Sequence, residues 1–155
     1  MSAVRLRSLS LVLITLAAAL PALAGTTRID DSATLPYAAP LTVHWEQTSP
    51  RPPLNNLMSG TLTLRVKLNV APWLKRTGRI YLTLPAQQPG PMYVSWMTQG
   101  HLLPGQLTSG GRTLVYSGPI TTPFIEDTLQ LSLRVDGTRL QEQLYHVNFN
   151  FEMDQ

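Results

Sequence analysis

The sequence contains no cysteine. That excludes thiol nucleophiles, thiolate metal sites and every disulfide, so the fold must be held by packing or by a partner. Charge is scarce too, at 14% of residues, and there are three histidines, His44, His101 and His146. His44 and His146 fall on what read as the polar faces of two strands. No His/Asp/Glu group has metal-ligand spacing, so neither a metal nor a cofactor is expected. The carboxylates pair only as Asp30-Asp31 and Glu126-Asp127. Neighbours along a strand point to opposite faces, which suits turn or cap residues better than a divided acid and base. The serines lack a G-x-S-x-G elbow and the glycines lack a strand-to-helix phosphate loop, so the chain does not read as an enzyme. After residue 24 no segment approaches the roughly 20 apolar residues that a membrane-spanning helix needs.

What is present begins with Arg5 and Arg7, the apolar run Leu11 to Leu20, then Pro21 and Ala22-Leu23-Ala24. A positive start, a short apolar run and a small-x-small site form a secretory signal peptide over 1–24, with cleavage expected after Ala24. Losing Arg5 and Arg7 leaves ten basic residues against nine acidic ones, a net charge of +1. That is far from the clustered basic excess of nucleic-acid binders. Lys75, Arg76 and Arg79, with Arg65 and Lys67 before them, read as a solvated strand face and its turn. What remains is enough for one domain: an N-terminal extension over 25–40, small and polar, that reads either as a strand or as a disordered leader, then a folded unit over 41–155.

The folded unit is punctuated by proline and glycine and patterned with a period of two. Leu41 to Glu46 alternates, and Pro50, Pro52 and Pro53 break it. In the next strand Leu62, Leu64, Val66, Leu68 and Val70 face one way, while Thr61, Thr63, Arg65, Lys67 and Asn69 face the other. Such alternation belongs to antiparallel sheets with one wet face. Arg79 to Leu84, Tyr93 to Met97 and Thr113 to Tyr116 read as further strands. Thr128 to Val135 follows, with Asp136-Gly137 as a hairpin turn leading into the final strand. In that final strand, Leu144 to Met153, the residues Tyr145, Val147, Phe149, Phe151 and Met153 form one apolar face. Burying them would contribute roughly 10 kcal/mol as an upper figure, so the strand belongs to the core. The whole predicts an all-β fold, an immunoglobulin-like antiparallel β-sandwich. A lipid-facing barrel is disfavoured because the longest strands oppose charged residues to the Leu/Val row.

Among the aromatic residues, Trp45 shares parity with Leu41 and Val43 and is assigned to the core. Trp73, Tyr93 and Trp96 are the candidate ligand surface, with Trp73, beside Pro72 at a strand end, the one most expected to be exposed.

A cleaved signal, a short leader, one sandwich domain and an alternating apolar strand at the C-terminus together resemble a subunit of chaperone–usher fimbriae, a pilin. Val43-His44-Trp45-Glu46, Leu54-Asn55-Asn56-Leu57 and Gly60-Thr61-Leu62-Thr63-Leu64 are similar to the start of subunits of enterotoxigenic K-antigen fimbriae. The resemblance implies a sandwich lacking one strand, with a groove edged by Tyr145, Val147, Phe149, Phe151 and Met153. It implies a donor strand within 25–40 presenting Ile29, Ala33, Leu35 and Tyr37, a row that Asp31 and Pro36 interrupt. The partners would be a periplasmic chaperone, an outer-membrane usher and neighbouring subunits, and the product a cell-surface fimbria supporting adhesion. The alternative is a self-sufficient exported binding module for carbohydrate or protein, using its exposed aromatics.

Overall fold

The computed structural model describes residues 25–36, 42–46, 56–86, 91–137 and 148–155, and all that follows concerns these. Two long alternating segments, β4 (Leu57–Asn69) and β9 (Phe124–Asp136), pair antiparallel along their full length, from Leu57 opposite Asp136 to Asn69 opposite Phe124. Around this spine lie β1 (Thr26–Arg28), β2 (Leu35–Pro36), β3 (Thr42–Trp45), β5 (Thr77–Thr83), β6 (Met92–Thr98), β7 (Gly105–Thr108), β8 (Arg112–Pro119) and β10 (Asn150–Asp154). They form two antiparallel sheets. One runs β1-β10-β5-β8, and the other β2-β4-β9-β6-β7 with β3 also alongside β4. The fold is a β-sandwich, as the alternation requires.

The inward parity of each strand supplies the core. Val66, Leu68 and Val70 of β4 and its end meet Leu129, Leu131 and Leu133 of β9 and Val94 of β6, against Ile80, Leu82, Phe151 and Met153 from the other sheet. Leu62 and Leu64 of the same β4 row are only partly buried. Pro72 sits in a short 3-10 turn, Ala71–Trp73, that follows β4, where a missing N–H costs nothing.

On one side the two sheets are joined by the β7–β8 corner. Gly110 takes φ 78°, which a residue with a Cβ adopts at a cost. The Gly111 amide donates to Thr108 O at 2.7 Å, the Thr113 hydroxyl to Gln106 O at 2.8 Å, and the Leu103 amide to Val115 O at 2.7 Å.

Two expectations are corrected. The C-terminal strand is not the hairpin partner of β9: both neighbours of β9 are β4 and β6, and β10 lies in the other sheet. Trp45 has core parity but sits at the end of its sheet, where it is 44% exposed and its ring covers Gly137. A Cβ on Gly137 would lie 2.4 Å from that ring, which accounts for glycine there.

Candidate functional site: a seam closed by the N-terminal strap

Opposite the β7–β8 corner, β10 and β4 border the two sheets without pairing with each other. The segment 26–36 fills the space between them. Its first part, β1, extends the β10 sheet in antiparallel register, Thr26 opposite Asp154, Thr27 opposite Met153 and Arg28 opposite Glu152. The Ile29 amide then donates to Phe151 O at 2.8 Å, and its side chain is fully buried in the core. At the next residue the chain changes sheets: Asp30 bridges Asn69, and the Asn69 amide donates to Asp30 O at 3.0 Å. A turn follows, with the Thr34 amide donating to Asp31 O at 2.8 Å and the Ser32 amide to Asp30 Oδ1 at 3.1 Å. The Ser32 side chain first, and then this amide, hold the Asp30 carboxyl below its ordinary value. The Lys67 amide donates to Thr34 Oγ1 at 3.1 Å, and Leu35 and Pro36 pair with Arg65 and Leu64.

The strap thus pairs with the edge of β10 and, past its turn, with part of the edge of β4, stretches that would otherwise carry unpaired N–H and C=O groups; β3 takes another part of the β4 edge. Its anchor is Ile29. The expected apolar row is broken by the turn: Ala33 is exposed and Leu35 is 62% exposed, so among the described donor residues Ile29 alone reaches the core. Tyr37 lies outside the described residues. On β10, Phe151 and Met153 are buried, and Phe149 just before it is partly so. Tyr145 and Val147, like the signal segment 1–24, fall outside the described residues. Where the strap leaves β10, an open groove of about 540 Å³ remains, lined by Leu64, Pro85, Phe149 and Phe151 beside Arg28 and Thr34.

The outward parity of this sheet carries a polar chain across all four strands. Arg112 on β8 extends over the ring of Tyr81 on β5, 3.7 Å from its centroid. It then reaches β10, where its Nε lies 3.2 Å from Glu152 Oε2 and its Nη2 donates to Asp154 Oδ1. The same Asp154 oxygen accepts the Thr26 hydroxyl of β1 at 2.8 Å. Arg112 first, then Thr26, hold the Asp154 carboxyl below its ordinary value, and Asp154 in turn raises Arg112. No spacing in the sequence announces this group, since Arg112 is 42 residues from Asp154 and Thr26 is 128.

The aromatic surface is corrected in two of its three members. Trp73 is buried, because the 3-10 turn folds it back onto the core. Trp96 is 2% exposed, shares parity with Met92 and Val94, and donates its Nε1 to Leu103 O at 3.0 Å. Tyr93 is 52% exposed on the outer face of β6. Of the paired acids, Glu126 lies 2.7 Å from Lys67 Nζ. Asp127, the buried acid, accepts the amides of Gln99, Leu102 and Thr128, capping the 99–102 loop.

Among the described residues no helix is long and apolar enough to cross a membrane. No protein-family model, curated protein or solved structure matches the chain, so it is the closed seam, not a relative, that directs attention to this edge.

Proposed function

We propose that the chain is a structural subunit, a pilin, of an exported surface fimbria, assembled by donor-strand exchange and supporting adhesion. The observation that carries this reading is that, among the described residues, the free edge of β10 is covered by the 26–36 strap, which then crosses to β4 and shares that strand's edge with β3. An N-terminal strand running antiparallel to β10 can be replaced by the same strand of a neighbouring subunit with every backbone hydrogen bond conserved. Exchange then changes the connectivity of the bonds and not their number. Without a strand at that edge, the buried face of Phe151 and Met153 and the free edge of β10 would invite aggregation. A periplasmic chaperone covering the groove before assembly, and an outer-membrane usher guiding exchange, are the partners this chemistry calls for. The immunoglobulin-like character of the sandwich belongs to the same proposal.

The test is to express the exported chain alone and with its cognate chaperone. Capture of the chain by the chaperone, its loss in Phe151→Asp, and SDS-resistant multimers after chaperone release are expected. A stable monomer that ignores the chaperone and never exchanges its N-terminal strand overturns the proposal.

A second reading, a self-sufficient exported binding module, is favoured by one observation: the seam is closed by the chain's own strap. It would use Tyr93 on carbohydrate or protein, and it predicts that lasting monomer.

A further inference from the structure

The two outward carboxylates of β10 sit at the positions where any strand filling the seam must pass. Asp154 faces residue 26 and Glu152 faces residue 28, while Met153 and Phe151 face inward. Arg112 bonds both carboxylates from the β8 side and so fixes their orientation, leaving Asp154 Oδ1 aimed at the neighbouring strand. An ionised carboxylate only accepts hydrogen bonds. A strand laid against β10 is therefore favoured when it offers a hydroxyl donor opposite Asp154, a cation opposite Glu152 and a branched apolar side chain at the next inward position. Thr26 and Ile29 meet the first and third conditions, and Arg28 places its charge opposite Glu152 in register, its guanidinium lying 3.9 Å from Asp31 Oδ1.

We infer that Asp154 and Glu152, positioned by Arg112, form a selective face that recognises the Thr26–Ile29 segment and accepts in its place the same segment of a second copy of this chain. The choice of partner rests on the proposed exchange; the selectivity of the face does not. A carboxylate on the incoming strand opposite Asp154 would be repelled, and an apolar residue there would remove one of the two hydrogen bonds that Asp154 Oδ1 accepts, leaving that of Arg112. Backbone pairing alone does not distinguish one strand from another; these side chains supply the distinction. Tyr81 adds to it indirectly, because its ring carries the Arg112 guanidinium across β5.

The experiment uses the full exported chain, with hydrogen exchange at the Ile29 amide as readout and exchange at Leu131 as a control for intact folding. Thr26→Glu is expected to speed exchange at Ile29 at least tenfold and Thr26→Val, which removes only the hydroxyl, severalfold, while Leu131 stays protected. The double change Thr26→Glu with Asp154→Thr restores protection. Unchanged protection at Ile29 in Thr26→Glu overturns the inference, because the edge would then pair with any strand. In a second arm, unlabelled chain is incubated with fluorescent wild-type or Thr26→Glu chain. Incorporation of the wild-type copy at least tenfold above the variant is expected, and equal incorporation overturns the inference. Incorporation of neither copy, with Ile29 still responding in the first arm, overturns assembly by exchange and the second copy as partner while upholding the face's selectivity.

Discussion

At Asp127 a single side chain organises the four-residue loop 99–102. Its oxygens accept the amides of Gln99 at 3.3 Å, Leu102 at 2.7 Å and Thr128 at 2.6 Å, and the residue itself is buried. Asp127→Ala leaves those donors facing a cavity, and a loss of about 3 kcal/mol is expected in urea unfolding. Tyr93→Ala, on the wet face of β6, is expected to change stability by no more than about 0.5 kcal/mol in the same measurement. The alternation rule already contained the burial of Trp96, whose parity matches Val94; weighing it as a surface aromatic set that rule aside. Trp73 and Trp45 were not legible. Whether a residue just beyond a strand turns inward, and whether a core-parity residue lies at the covered or open end of a sheet, depends on where other elements stop.

Among the elements, β4, β9 and the inward row of Phe151 and Met153 follow from period two, because each strand carries a full turn-to-turn record of its own two faces. The strap does not. Its three-residue and two-residue strands are too short for periodicity, and its sheet change at Asp30 is dictated by the distance between two edges that the rest of the chain builds. Ile29 is its one deep anchor, so Ile29→Ala is expected to cost about 2–4 kcal/mol by calorimetry, and Ile29→Asp to strip protection from the strap's amides. The element is also expected to be acid-sensitive. Asp154 is held below the ordinary carboxylate value by Arg112 and then Thr26, with Arg79 adding its charge and Glu152 sharing Arg112. A carboxyl depressed in the folded state contributes its stability above the unfolded carboxylate value and loses it as pH falls through the folded one. Unfolding followed across the acidic range should therefore weaken below about pH 4, and Asp154→Asn should flatten that part of the profile; an unaltered slope would place the acid sensitivity elsewhere.

For the whole molecule, one side of the sandwich is sealed by a tight corner between successive strands and the other by a segment that reaches across from the far end of the sequence. The first seal forms between residues a few positions apart. The second joins Thr26 to Asp154, 128 residues away. Closing so long a loop is entropically slow, and it can begin only when β10 and β4 are both in place to receive the strap. The expected order of folding is therefore that the sheets assemble first and the strap docks last. In refolding from urea with pulsed hydrogen exchange, the Leu131 and Leu82 amides should gain protection in an early phase and Ile29 in a later one. During the interval between those expected phases the molecule would be a nearly finished sandwich with an open side, a lifetime set by chain connectivity and available to whatever else is present.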